Sequence, residues 1–425
     1  YSCIGCKKFG VVGTPLTLYF SPFPRNIKEL EWFMYVPILN SKEKARELVD
    51  VVREQTDAPI GVCINTVSII LSTLLRDLPD IYGLRVIKSA LEKDDIIDVD
   101  NCHDARVLEQ IIVSITSYIE DKGQLDWSIR SDEAVMVKSL QHFSGFMKKA
   151  DVGVLMKRFR RDDYIFIEQL VSLYQMELNK SVRIELLSTF YSLSLLDRSV
   201  ITMLLCGQLP VLLVLQNNFS LPLTELDILS LQLLSVLFSS GEKFPTSHYD
   251  ALNLEFLTKI VSIVKDCTDA FQFILSFNSH FESNENTVIQ TLHKNPPVTF
   301  GQLLTMQLNR CRADNKDLRA VKLLMDIFCV SDDLISVLFY DNDLKVLYGI
   351  LCQDLIDTNQ SQKMAMILEI MKNMEVIRRC GFTQEVCTSV KTFLLTRETQ
   401  VELRHSAESI LQQVTEQQRN LPLSL

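Results

Sequence analysis

Turn-forming residues are scarce in this chain: twelve prolines and thirteen glycines stand among 425 residues, where average usage is roughly 5% and 7%. Folds dense in turns need Gly for positive φ and Pro for preset corners, so sandwiches and propellers are disfavoured. Collagenous and low-complexity classes are excluded outright. Cysteine is also thin, with eleven residues at irregular spacing. That excludes a disulfide scaffold and points to reduced, buried thiols in a cytosolic protein. Most lie in apolar helical contexts, such as Cys206, Cys267, Cys329 and Cys352. Cys3 and Cys6 form a lone CxxC, short of the four ligands a structural zinc site requires. Excess positive charge is missing too. At a net −10 and a pI near 5.3, the chain has no global field for nucleic acid phosphates.

What is present favours helix. With 47% hydrophobic and 23% charged residues, apolar burial can offset chain entropy, so disorder is excluded. Pro15, Pro22, Pro24 and Pro37 fall in the first forty residues, and none occurs between Pro79 and Pro210 or between Pro297 and Pro422. Proline costs about 3 kcal/mol inside a helix, so these stretches permit helix after helix. The expected architecture is all-α from Ser41 to 417, after an irregular, aromatic and Pro-rich lead-in over 1–40 and before a tail over 418–425. The chain begins at Tyr1 rather than Met, so the original N-terminus is expected to lie upstream or to have been removed. Lys7-Lys8 and the apolar Phe9–Phe20 faintly imitate a signal peptide, but Pro15, Thr14 and Thr17 interrupt it.

Amphipathic segments of ten to twenty residues alternate with short polar breaks. Ile167, Leu170, Val171, Tyr174 and Leu178 fall on one helical face, as do Met364, Ile367, Leu368 and Met371. Ile228–Phe238 and Val321–Val330 are apolar nearly all round, as helices buried between layers are. Thr224 followed by Asp227 reads as a capping-box start. Breaks are expected near Pro79, 94–104, 123–131, Lys180, 216–224, 241–246, 295–298, 313–316 and 357–362. Their spacing, about 20 to 50 residues, suits the armadillo and HEAT period, so an α-solenoid is predicted. The uncharged stretch Ser199–Thr224 is split by Gly207, Gln208 and Pro210 into runs too short to cross a bilayer. It reads as two buried helices, and no transmembrane segment is expected.

Motifs for nucleotide binding, metalloprotease chemistry, nucleophile elbows and EF-hands are absent. Asp341-Asn342-Asp343 starts like a calcium loop, but Lys345 takes the third ligand position, so a helix N-cap with an acidic first turn is expected. The six histidines lack metal-ligand spacing. His280 and His293, flanking Glu282 and Glu285, are read as polar surface positions. No cofactor, metal or enzymatic activity is expected, and the chain reads as a binding surface. The one dense basic run is Lys157-Arg158-Phe159-Arg160-Arg161. It suits a helix C-terminus and is also the candidate docking patch for an acidic partner, with Lys157, Arg158, Arg160 and Arg161 as its residues.

One succession of motifs is more specific. Residues 268–281 read Thr268-Asp-Ala-Phe-Gln-Phe-Ile-Leu-Ser-Phe-Asn-Ser-His-Phe281, followed by Asn286-Thr-Val-Ile289 and Thr299-Phe-Gly-Gln-Leu-Leu304. Leu308-Asn309-Arg310, Lys322-Leu-Leu-Met-Asp-Ile-Phe328 and Phe339-Tyr-Asp-Asn-Asp-Leu-Lys-Val-Leu347 come next. This order resembles the leucine-rich C-terminal domain of the WISH/DIP family, to which the animal NCK-interacting protein with an SH3 domain belongs. Glu47-Leu-Val-Asp-Val-Val-Arg-Glu-Gln-Thr56 resembles the opening of that family's helical region. The resemblance implies an armadillo-like fold that binds the actin-related protein 2/3 complex. It further implies activation of that complex without a preformed filament, which seeds linear filaments. Actin would be reached indirectly, in the cytoplasm at the actin-rich cortex, with other actin regulators and endocytosis within the family's range. Animal members carry an SH3 domain and proline-rich segments, whereas Tyr1–Asn40 shows no SH3 pattern and no PxxP occurs.

Phe328, Phe339, Leu344 and Leu347 are expected in the core. Asn309, Arg310, Asp341 and Asp343 are interface candidates, with capping and intrachain pairing as the expected roles. The alternative function is a generic α-solenoid scaffold in membrane traffic or signalling.

Overall fold

A computed structural model describes residues 40–93, 95–124, 133–282, 285–310, 317–330, 332–396 and 401–420. Among them are 22 α-helices and no strand, with 78% of the chain helical. The expected all-α, solenoid-like fold is observed. Of the lead-in expected over 1–40, residues 1–39 lie outside the described residues, as do 421–425 of the tail expected over 418–425, whereas 418–420 still belong to the last helix. The described chain falls into two compact units that divide after Asp98, within the charged break expected at 94–104. The sequence reading drew no boundary there.

The first unit has three helices, α1 (Ser41–Thr56), α2 (Ile60–Asp77) and α3 (Tyr82–Leu91), each packed on the other two. Ala45 and Val49 meet Cys63, Val67 and Leu71 across Ala90 and Leu91 in its core. Arg53 is also fully buried, its Nη1 donating to Asp57 at 2.8 Å and to the Ala58 carbonyl at 3.1 Å. Among the described residues, α2 is the one unbroken helix long and apolar enough to cross a membrane by length and composition. Its outer face leaves Val62, Ile69, Ile70 and Leu74 exposed.

The second unit opens with α4 (His103–Gln124), α5 (Glu133–Met147), α6 (Val152–Arg161), α7 (Ile165–Met176) and α8 (Lys180–Ser194). It continues with α9 (Arg198–Cys206), α10 (Leu209–Leu215), α11 (Glu225–Ser239), α12 (Leu254–Ile263), α13 (Thr268–Asn278) and α14 (Thr287–Lys294). The rest comprises α15 (Phe300–Arg310), α16 (Arg319–Val330), α17 (Asp332–Leu338), α18 (Asp341–Asp357), α19 (Ser361–Met371), α20 (Met374–Arg379), α21 (Thr383–Thr396) and α22 (Val401–Asn420). A spine runs through the unit in steps of about one helical repeat: α5 packs on α8, α8 on α11, α11 on α13, α13 on α16, α16 on α19 and α19 on α22. Each spine helix is covered on two sides, which explains why α11 and α16 are apolar nearly all round.

Polar pairs tie neighbouring spine helices at their edges. Gln141 donates to Glu185 at 2.6 Å, Ser144 and Thr189 share a hydrogen at 3.0 Å, and Gln232 donates to Asp269 at 3.3 Å. Helix starts follow local chemistry. Asp151, Asn179, Asp197, Asn253, Asn286 and Asn373 each accept from a first-turn amide, relieving donors the helix leaves orphaned. The Thr224–Asp227 capping box forms as read from sequence. The Ser199–Thr224 stretch becomes α9 and α10, bent by 55° at their junction.

Several expectations are corrected. Leu178 lies beyond the end of α7 and is 83% exposed, because the chain turns out at Glu177. Cys206 and Cys329 are exposed near helix C-termini, unlike buried Cys267 and Cys352. His280 is no surface residue: it is half-buried between the Phe238 and Phe244 rings, with centroids 5.4 and 5.3 Å away. Its Nε2 lies 2.7 Å from the Phe238 carbonyl, and burial pushes its pKa down.

Candidate protein-interaction surface

The basic run closes α6 as its periodicity requires. Asp151 Oδ1 accepts from the Val154 amide at 3.2 Å at the start of the helix, and Arg158, Arg160 and Arg161 occupy its last turn. Val154, Leu155, Met156 and Phe159 are buried, so the cations project from the other face. Lys157 Nζ reaches Asp100 at 2.6 Å. Arg158 donates from Nε to Glu109 at 2.6 Å and from Nη1 to Asp162. Arg160 reaches Asp197 at 3.3 Å. The Ser199 hydroxyl and amide, together with Arg160, hold the Asp197 carboxyl below its usual range. Arg161 is exposed, with no ion-pair partner among the described residues. The structure thus gathers the four cations on one helix end and gives three of them carboxylates of this same chain.

The other candidates occupy two separate places. Asn309 and Arg310 are exposed at the end of α15. The beginning of that helix meets residue 338 so closely that a Cβ on Gly301 would stand 2.1 Å from the Leu338 carbonyl oxygen. Asn309 and Arg310 therefore lie roughly 12 Å along the axis from that contact. Asp341 and Asp343 sit in the first turn of α18, where acidic residues complement the dipole. The N-cap position itself belongs to Tyr340, not Asp341. The Asp341 carboxylate accepts from Arg379 Nε at 3.1 Å, and Arg379 Nη1 donates to Ser336 at 2.6 Å. That pairing holds α18 to α20 and α17. Phe328, Phe339, Leu344 and Leu347 are buried as expected.

Sequence reasoning missed a buried polar centre in the same region. Asp326 on α16 is fully buried. Its Oδ2 accepts from Asn278 Nδ2 at 2.8 Å, from Asn286 Nδ2 at 3.2 Å and from Lys322 Nζ. Asn286 also donates to Asn278 Oδ1 at 2.7 Å, and its own Oδ1 caps α14 through the Val288 and Ile289 amides. Lys322 donates to the Phe281 carbonyl at 2.9 Å. One carboxylate thereby fixes α13, α14 and α16 together. Beside it, Phe277 stacks on Phe273 at 5.5 Å and meets Phe238 edge-on at 5.1 Å. A second buried ion pair joins Asp354 of α18 to Lys363 of α19 at 2.7 Å. The available signal was the single Asp inside the apolar run Lys322–Phe328, four residues after a Lys.

Stacked helix pairs tied by buried polar centres define a helical-repeat protein. Residues 265–384 match the family model described as the SPIN90/Ldb17 leucine-rich domain. That model describes the C-terminal domain of the SPIN90/WISH/DIP family, to which this part of the chain is similar. The match covers well under half of the chain and spans α13 to α20, where the buried polar centre and the Asp341–Arg379 pair lie. The family is linked to actin regulation. Among solved structures, the crystal structure of an engineered protein is similar at a TM-score of 0.38 and 14% identity, over 91% of this chain and 98% of that one.

Proposed function

We propose that the chain binds the actin-related protein 2/3 complex and activates it without a preformed filament, seeding linear actin filaments. The observation that carries this reading is the SPIN90/Ldb17 leucine-rich domain at 265–384, built into a continuous helical spine. Such a stack offers a long, stiff surface suited to a subunit edge or a helix. Activation then needs no catalytic residue, only tighter binding to the active conformation of the partner. Shifting that equilibrium from 1:99 to 99:1 takes roughly 5.5 kcal/mol of differential affinity. The α6 cations, above all Arg161, which has no ion pair among the described residues, are the charged candidates for this contact. The setting would be the cytoplasmic, actin-rich cortex, and the role one of protein binding rather than of an enzyme.

Pyrene-actin assembly with purified complex and no seeds is the test. The chain should shorten the lag relative to complex alone. An unchanged time course would reject the activity, and failure to retain the complex in a pull-down would reject the partner.

A further inference from the structure

A groove in the second unit has chemistry that neither the buried centre nor the basic run explains. Its cavity of about 260 Å³ lies between α7 and the bend joining α9 to α10. That is below the roughly 300–1,000 Å³ of a small-molecule pocket, but it has room for one long side chain. Leu204 and Leu209 form a fully buried floor, with half-buried Val171 and Met203 beside them. At the lip stand exposed Glu168 and Gln175, two turns apart on the same stripe of α7. The Glu168 carboxylate has neither an ion pair nor a hydrogen bond among the described residues, unlike Asp197 and Asp162 nearby. A groove with apolar residues at its base, Ser172, Gln175 and Gln208 among its exposed lining, and one carboxylate without a partner among the described residues suits an aliphatic stem with a cationic head.

We propose that this groove receives an arginine side chain of a protein partner. The stem lies on Val171, Met203 and Leu209, and the guanidinium pairs with Glu168, whose planar carboxylate can accept two parallel N–H bonds. Lysine would fit the trough but offers no such fork. The inference stands whether or not the partner is the actin-related protein 2/3 complex, because its probe is the side chain alone.

The test titrates the full chain, labelled at its Met methyl groups, with N-acetyl-arginine amide and follows the Met203 signal by NMR. A saturable shift is expected in the millimolar range, as for a contact of a few kcal/mol. Glu168→Gln should weaken it about fivefold, the size of one exposed ion pair. The neutral isostere N-acetyl-citrulline amide should leave Met203 unmoved. No saturable shift, an equal response to citrulline, or equal affinity in Glu168→Gln would each overturn the proposal. Glu168 is exposed, so its substitution leaves the fold intact, and Val171→Gln, which keeps Met203 as the reporter, provides a second variant that should also weaken binding by roughening the trough.

Discussion

Asn278 Nδ2 donates to Asp326 Oδ2 at 2.8 Å, and both side chains are completely buried. The two residues are 48 positions apart and belong to consecutive spine helices, so this bond exists only once α13 and α16 have stacked. A buried carboxylate is stable only when paired and hydrogen-bonded. Here Lys322 supplies the charge, while Asn278 and Asn286 supply further donors.

Asp326→Ala is therefore expected to lower stability by about 3 kcal/mol. It strands the donors of Asn278 and Asn286 and leaves Lys322 beside an apolar cavity. Urea unfolding followed by circular dichroism measures the loss. Asp326→Asn retains the volume and one acceptor and should fall between the variant and the parent. Equal midpoints for all three proteins would show that the centre contributes nothing.

Close backbone approach sets a second expectation. A Cβ at Gly301 would lie 2.1 Å from the Leu338 carbonyl oxygen, and backbone atoms cannot yield as a flexible side chain does. Gly301→Ala should cost at least about 2 kcal/mol through displacement of α15 from residues 338–339. Gly61, on the exposed face of α2, has no atom within 4 Å of the same position. Gly61→Ala should stabilise by about 0.5 to 1 kcal/mol through helix propensity alone. Differential scanning calorimetry of the two variants should show melting shifts of opposite sign.

Acid should weaken the packing between α11 and α13. Burial lowers the pKa of His280 and of His248, whose ring stacks 6.0 Å from Phe244. A histidine with a depressed folded pKa binds its proton more readily in the unfolded chain. Its stabilising contribution is complete above the unfolded value of about 6.5 and is lost as pH falls through the folded value. Melting temperature should decline below about pH 6.5, before most carboxylates titrate. His280→Gln retains a donor for the Phe238 carbonyl but cannot titrate there, so its melting temperature should fall less steeply over that interval. Identical slopes would remove His280 as the cause.

The basic run separates binding from stability. Lys157 and Arg160 make exposed ion pairs, and Arg161 makes none among the described residues; such pairs contribute only about 0 to 1 kcal/mol. Replacing these three by Ala should leave the melting temperature within about 2 °C while weakening capture of the actin-related protein 2/3 complex. Arg158→Ala should be costlier, by about 1 kcal/mol, since its guanidinium is mostly buried and bridges Glu109 and Asp162. Undiminished capture by the triple variant would exclude this face from the contact.

Much of the fold was legible because its causes are local. The spacing of Ile167, Leu170 and Tyr174, the Thr224 cap and the proline-free stretches each act within one or two turns, and the structure agrees with all of them. Leu178 misled for the same reason: helical periodicity continued in the sequence one step past the point where Glu177 leaves the helix. His280 looked polar by residue type, yet the rings of Phe238 and Phe244 enclose it from other parts of the chain.

For the binding surface the balance is reversed. The sequence determined that cations gather at 157–161, that one unit carries a recognisable succession of motifs, and that helices must stack to hide their apolar faces. Only the tertiary structure decided which charges remain available, since Asp100, Glu109 and Asp197 reach the basic run from 37 to 57 residues away. It likewise decided that Asp326 is a tie between helices rather than a surface acid, and that Glu168, without an ion pair among the described residues, stands beside the groove lined by Val171 and Met203. Helix formation is written in neighbours three and four residues apart, whereas the fate of a charge depends on the helix that stacks beside it, and the scarcity of Gly and Pro specifies only that such helices exist.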